Sequence, residues 1–152
     1  MRTSRALAVG VVMVGIFACW FMTVQAGPSA WPANKGEFCL QNTHNDEMVR
    51  VAVMRTVGNN YTVQGFATES SGGKSLFNGN AIVEGDTVLM HVSSSGYMEA
   101  EHHTWGSVGT VELDASTLNG RVIGINLHCD VDTAVCAVDY DGIQGLAPMA
   151  CP

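Results

Sequence analysis

Apolar and polar residues alternate along most of the chain beyond residue 37, and a period of two is typical of β-strands with one buried face. The pattern is clearest in the stretch 109–140, which contains three such segments separated by turns. In the middle segment, one face consists of Ile123, Ile125 and Leu127. We expect that apolar face to be buried. Two turn signals precede it, Asp114–Thr117 and Asn119-Gly120, and the pattern does not choose between them.

The same alternation, interrupted by turn residues, continues through the rest of the chain. Gly58-Asn59 and Gly85-Asp86 mark two tight turns, and the run Ser93–Gly96 predicts a loop between the apolar strand 87–92 and a strand over Met98–Trp105. Turn signals recur roughly every 10 to 14 residues, which is typical of an antiparallel meander. No segment beyond residue 26 combines helical periodicity with caps over more than about ten residues.

About eight antiparallel strands and no helix predict an all-β domain. Eight such strands can close into a single up-and-down β-barrel and so leave no edge strand unpaired. A two-sheet β-sandwich is the alternative, because strand periodicity is the same in both. The uniformly short connections favour the barrel, since a Greek key needs at least one long crossing.

The first 26 residues have the pattern of a secretory signal peptide. Arg2 and Arg5 precede an apolar run, and Val24-Gln25-Ala26 supplies the small residues of a cleavage site. We therefore expect a signal peptide over 1–26, an extended arm over 27–36 and the barrel over 37–152. A retained membrane anchor and a lipoprotein attached through Cys19 are the alternatives. The expected location is secreted or periplasmic, without stable membrane insertion after cleavage.

The amino-acid composition limits which classes of partner the protein is expected to bind. Cleavage after Ala26 removes two arginines and no acidic residue, so the net charge of −7 becomes −9. A surface of this sign repels nucleic-acid phosphates and anionic lipids, so we expect no nucleic-acid partner. The remaining 126 residues suit one domain.

Four cysteines follow the predicted cleavage site, and an even number in an exported chain predicts two disulfides. Cys129 and Cys136 flank one tight turn. Cys39 lies on the first strand and Cys151 at the end of the chain, and first and last strands are neighbours in a closed meander. We therefore predict Cys39–Cys151 and Cys129–Cys136. A zinc site is the competing interpretation, but the chain has no C-x-x-C pair.

The signal peptide, the chain of hairpins and the early aromatic in Gly36-Glu37-Phe38 loosely resemble the lipocalin-like (calycin) group of up-and-down barrels. The G-x-W motif of lipocalins is absent, because Trp31 precedes the glycine and position 38 is Phe. The resemblance implies a small apolar ligand inside the barrel and transfers no ligand-binding residue.

Several apolar side chains are candidates to line the barrel interior: Val51, Val53, Val63, Val88, Met90, Val111, Ile123, Ile125 and Leu127. The same residues could equally be a core that fills the barrel completely.

Two groups of side chains could bind metals. A hairpin centred near Tyr97 would place His91 opposite His103, and with His102 these imidazoles could bind Zn²⁺ or Cu²⁺, with Glu99 or Glu101 as a third ligand. The alternative is solvated histidines on a hairpin.

The second group surrounds the 129–136 hairpin and consists of Asp130, Asp132, Asp139 and Asp141. These carboxylates could bind Ca²⁺, although no EF-hand loop is present. Aspartates that form turns at strand ends are the alternative.

No G-x-S-x-G, H-E-x-x-H or phosphate-loop motif is present. We expect an exported, non-enzymatic protein that binds a small, apolar ligand in or at the mouth of the barrel. An interaction protein with a filled barrel, which uses its outer sheet face and Trp31, is the first alternative. A small β-barrel isomerase or cyclase is the second. An interior cavity distinguishes the ligand-binding functions from the filled barrel.

Overall fold

The structure is a computed structural model that describes residues 30–68, 72–98 and 103–152. The predicted signal peptide, Cys19, residues 27–29 of the arm, Glu99, Glu101 and His102 lie outside these residues. The described strands are β1 Lys35–Asn42, β2 Met48–Arg55, β3 Asn60–Thr68, β4 Lys74–Glu84, β5 Thr87–Met98, β6 His103–Asp114, β7 Gly120–Asp130 and β8 Cys136–Met149. Over the described ranges, no helix is long and apolar enough to cross a membrane.

Each strand pairs with the next in antiparallel register, and β8 returns to pair with β1. The prediction of an all-β, closed up-and-down barrel is therefore confirmed, and the sandwich is excluded. Connections alternate between the two ends. The β2–β3, β4–β5 and β6–β7 turns lie at one end, which we call the filled end. The β1–β2, β3–β4, β5–β6 and β7–β8 connections lie at the other, which we call the open end.

Side chains pack the interior at the filled end. The buried core consists of Phe38, Leu40, Val51, Val53, Tyr61, Val63, Ala81, Val88, Met90, Val111, Leu113, Leu118 and Leu146. Successive residues of a strand point to opposite faces, and this alternation determines which side chains enter the core. Along β3, Tyr61 and Val63 are buried while Thr62 and Gln64 are exposed. Burying apolar side chains of this kind is the main stabilising contribution to such a fold.

The segment before β1 closes the filled end. The Trp31 ring lies 5.6 Å from that of Phe38 and 5.3 Å from that of Tyr61. Its backbone N–H donates to Ala115 O at 2.7 Å, and the Tyr61 hydroxyl donates to Ala33 O at 3.0 Å. Trp31 is therefore partly buried and packs against the core.

The β5–β6 hairpin differs from the prediction. Ser93–Gly96 is part of β5, and Met98 pairs with His103, so the hairpin connection comes after this run. Ser94 Oγ and Ser107 Oγ lie 2.6 Å apart and satisfy each other across the two strands. The run Ser93–Gly96, whose composition is typical of a loop, therefore lies within a long strand.

The β6–β7 turn resolves the competing turn signals. The Asp114 carboxylate accepts hydrogen bonds from Ser116 N at 3.0 Å and Thr117 N at 2.8 Å, and also from both hydroxyls. The Ser116 hydroxyl, followed by the Thr117 groups, lowers the pKa of Asp114 from 3.8 to about 2. Gly120 begins β7, where a Cβ atom would collide with the Glu112 carbonyl oxygen. Gly120 is thus a strand glycine.

Both predicted disulfides are confirmed. Cys39 in β1 is bonded to Cys151 after β8, with Cα atoms 5.2 Å apart. Cys129 and Cys136 are direct partners in the β7–β8 ladder, with Cα atoms 4.1 Å apart. Two disulfides indicate an oxidising environment.

Candidate ligand-binding cavity

The interior is not filled along its whole length. A cavity of about 320 Å³ lies beyond the core, and Asn45 and Glu47 of the β1–β2 connection are among the residues that line it. The cavity therefore extends toward the open end. Its volume falls at the lower end of the range for small-molecule pockets, roughly 300–1,000 Å³.

The structure divides the predicted interior residues into three sets. Val51, Met90 and Val111 contribute to the cavity wall. Val53, Val63 and Val88 are buried in the core layer. Ile123, Ile125 and Leu127 belong to the third set, which lies on the outer face of the barrel.

The prediction that this third set lines the interior is wrong. Ile125 and Leu127 are 48% and 44% exposed, and Ile123 and Ile125 line an open groove outside the barrel. The opposite face of β7 points inward and contains Val122, Gly124, Asn126 and His128. Successive strand residues face opposite sides, so choosing the wrong face inverts the whole strand.

Polar side chains form a large part of the cavity wall, among them Asn42, Ser75, Ser94, Ser107, Asn126, His128 and Gln144. Asn42 is only 2% exposed. Its Oδ1 accepts a hydrogen bond from His44 N at 2.9 Å, and its Nδ2 donates to Gln144 Oε1. Buried polar groups need such partners, because an unsatisfied one costs roughly 1–3 kcal/mol.

Two histidines of neighbouring strands pair with carboxylates. The His103 Nε2 lies 3.4 Å from Asp130 Oδ2, and the His128 Nε2 lies 3.8 Å from Asp139 Oδ2. His128 also lines the cavity.

The predicted juxtaposition of His91 and His103 is wrong. His91 pairs with Thr110 and hydrogen-bonds its hydroxyl at 3.2 Å, whereas His103 pairs with Met98. Seven residues separate the two positions along the ladder, or roughly 23 Å at the rise of a strand. The hairpin turns later than expected, which moves the histidines apart. Within the described ranges, no three His, Cys, Asp or Glu side chains form a group that could hold a metal.

Two of the aspartates near the 129–136 hairpin, Asp130 and Asp139, contact other residues of the chain. Asp130 Oδ1 accepts hydrogen bonds from the Thr133 N–H at 2.7 Å and from its hydroxyl at 2.9 Å. The backbone hydrogen bond, followed by that of the hydroxyl, lowers the pKa of Asp130. This carboxylate therefore stabilises the turn, as the alternative to a Ca²⁺ site predicts. Asp139 contacts His128.

The outer face of β6, β7 and β8 carries a contiguous group of exposed apolar side chains, which we call the outer apolar surface. Its members are Val108, Ile125, Leu127, Val138, Tyr140 and Ile143, each 44–67% exposed. Val108, Ile125 and Tyr140 lie side by side across the three strands, and Leu127 pairs with Val138 in the next row. Exposed apolar patches of this kind are characteristic of interaction sites.

Two parts of the barrel are therefore candidate binding sites. The cavity lies inside the barrel and combines apolar and polar groups, whereas the outer apolar surface lies on the outside of the sheet. No protein-family model matches the chain, and comparison with curated proteins finds no match.

Proposed function

We propose that this chain is an exported, non-enzymatic binding protein that holds a small, mainly apolar molecule inside its barrel. The observation that carries the proposal is the 320 Å³ cavity. An eight-strand barrel can be filled completely by its own side chains, so the number of strands does not by itself create such a space. The volume corresponds to roughly ten water molecules, which is room for a small organic ligand.

Small inward-facing residues keep the space open. Gly109 and Gly124 are direct partners across β6 and β7, and both line the cavity together with Ser107. Larger side chains at these positions would fill it. The lipocalin-like resemblance supports the same proposal, because barrels of that group bind small apolar ligands in their interior.

A cavity-filling variant tests the proposal. A Cβ at Gly124 has its nearest contact at 3.4 Å, so Gly124→Leu can be accommodated while its side chain enters the cavity. Gly106 offers a matched control, since it lies on the outer face of β6 and a Cβ there has its nearest contact at 3.6 Å. Near-ultraviolet circular dichroism should first show that both variants keep native packing.

The mature protein is titrated with N-phenyl-1-naphthylamine, an uncharged dye that fluoresces in apolar surroundings. We expect saturable binding to the wild type and to Gly106→Leu, and a loss of about tenfold or more in affinity for Gly124→Leu. Absence of saturable binding to the wild type contradicts the proposal. Equal binding to Gly124→Leu contradicts it too, because the dye would then lie outside the cavity.

The outer apolar surface favours a second candidate function, self-association. Its six side chains present roughly 400–600 Å² of apolar area, as much as the largest patch on a typical monomer. None of the six is charged, although the chain as a whole carries −7. Two copies that meet here avoid placing carboxylates against one another. A closed barrel has no edge strand, so the contact would pack sheet against sheet.

Sedimentation velocity of the mature protein tests this candidate. Tyr140→Lys should convert a dimer to a monomer. Leu76→Lys should not, because Leu76 is 70% exposed on β4, away from the outer apolar surface. A wild-type protein that remains monomeric at about 100 μM, well above a micromolar dissociation constant, rules out self-association.

A further inference from the structure

The hydrogen bonds around the cavity restrict the chemistry of its occupant. We infer that the ligand is an uncharged molecule with one carbonyl-type oxygen, which accepts a hydrogen bond from the side-chain amide of Gln144. This inference rests on the proposed ligand-binding function and adds to it the polar group that the cavity recognises.

The direction of the hydrogen bonds follows from one backbone group. The His44 N–H can only donate, so the Asn42 atom that faces it must be the amide oxygen. The other terminal atom of Asn42 is then the nitrogen, and it donates to Gln144 Oε1. That contact assigns the contacting atom of Gln144 as Oε1, so the other terminal atom is Nε2, which has two hydrogens to donate.

Burial holds this arrangement in place. Asn42 is almost completely buried, and turning its amide over would place an NH₂ group against the His44 N–H. Gln144 lines the cavity, and within the described residues its Nε2 has no protein acceptor. A ligand that excludes water from this site must therefore supply an acceptor or leave a donor unsatisfied, which weakens its binding.

Charge distinguishes a carbonyl from a carboxylate. No Lys or Arg is among the residues that line the cavity, whereas Glu47 is. Arg50 and Arg121 are engaged by Glu37 and Glu112 on the outer face. His128 already has the Asp139 carboxylate beside it. A carboxylate in the cavity would lose its hydration without gaining a cation, so a neutral acceptor is favoured.

The Ser94–Ser107 pair does not alter this conclusion. One hydroxyl donates to the other at 2.6 Å, and the second keeps a hydrogen that can also donate. This pair can therefore add a second donor toward the same kind of oxygen.

Three probes with the same naphthalene skeleton and the same number of non-hydrogen atoms test the inference. They are 2-acetylnaphthalene, 2-isopropenylnaphthalene, in which a methylene group replaces the carbonyl oxygen, and 2-naphthoate. Each is titrated at pH 8 against the mature protein, with displacement of N-phenyl-1-naphthylamine as the readout. The ketone should bind at least about fivefold more tightly than the alkene, and the carboxylate should bind more weakly than the ketone.

Gln144→Met removes the donors from a side chain of similar length and should lower the ketone-to-alkene ratio at least about threefold, while the Ser94–Ser107 pair keeps its own donor. Gln64→Met is the matched control, because Gln64 is exposed on the outer face of β3, and it should leave the ratio unchanged. If the alkene binds as tightly as the ketone, or the ratio survives Gln144→Met, the inference is wrong although ligand binding stands. If 2-naphthoate binds most tightly of the three probes, the inference of an uncharged ligand is also wrong, although ligand binding stands. If no probe and no dye binds the wild type, the proposed function itself fails.

Discussion

Removing the Cys39–Cys151 disulfide should destabilise the barrel more than removing Cys129–Cys136. A cross-link lowers the entropy of the unfolded chain by an amount that grows with the length of the loop it closes. The sequence separations are 112 and 7 residues. The simple loop-closure relation then gives about 4.8 kcal/mol for the first disulfide and about 2.5 kcal/mol for the second.

The native structure adds to this difference. Cys39 lies in the β1–β8 ladder, which has only four paired positions, whereas every other ladder has at least seven. The Cys39–Cys151 disulfide therefore links β1 to the end of β8, where the ladder between neighbouring strands is shortest. Cys129 and Cys136 lie at the end of the long β7–β8 hairpin, which keeps its other hydrogen bonds without them.

The assay is urea unfolding of the mature protein, followed by circular dichroism. Cys39→Ala/Cys151→Ala and Cys129→Ala/Cys136→Ala are compared with the wild type, and both partners are replaced so that no free thiol remains. At a slope of about 2 kcal/mol/M, a difference of about 2 kcal/mol separates the two midpoints by roughly 1 M urea. Equal midpoints, or a lower midpoint for the 129/136 variant, would refute the reasoning from loop length.

Three further predictions concern individual side chains. The pKa of Asp114 falls from 3.8 to about 2 on folding, so its ionisation stabilises the fold above about pH 4 and this contribution is lost as the pH falls through 2. Asp114→Asn should therefore flatten the decline of the melting temperature between those pH values, measured by thermal scans. Tyr61→Phe removes a hydrogen bond to the N-terminal segment and should cost about 1 kcal/mol in urea unfolding. Gly120→Ala should cost about 1–3 kcal/mol, because its methyl group meets the Glu112 carbonyl, while Gly124→Ala should stay within about 0.5 kcal/mol.

Most of the fold could be predicted because its determinants are local in sequence. Alternation marks the strands, and short connections restrict antiparallel strands to neighbouring positions. The cysteines then link the ends of the meander, since Cys39 and Cys151 can meet only if the first and last strands are adjacent. Closure of the barrel thus follows from features that are separately visible in the sequence.

The orientation of β7 could not be predicted in the same way. Ile123, Ile125 and Leu127 are more apolar than Asn126 and His128 on the opposite face, and the more apolar face of a strand is normally buried. That rule assumes a dry interior. In this barrel the inner face borders a partly polar cavity, while the outer face of the same strand contributes to the outer apolar surface.

The β5–β6 hairpin was predicted too early in the chain for the same reason, because the interior of this barrel is partly polar. The run Ser93–Gly96 predicts a loop because serine is common in turns, yet Ser94 lies within β5 and lines the cavity together with its partner Ser107 of β6. A barrel needs only backbone hydrogen bonds to close, and an all-apolar interior would fold at least as well. Polar side chains inside it lower stability unless something bonds to them. Under the proposed function, the positions where the strand pattern contradicts the structure are those that would contact the ligand, and the hydrogen bonds of Asn42 and Gln144 determine which polar group that ligand must supply.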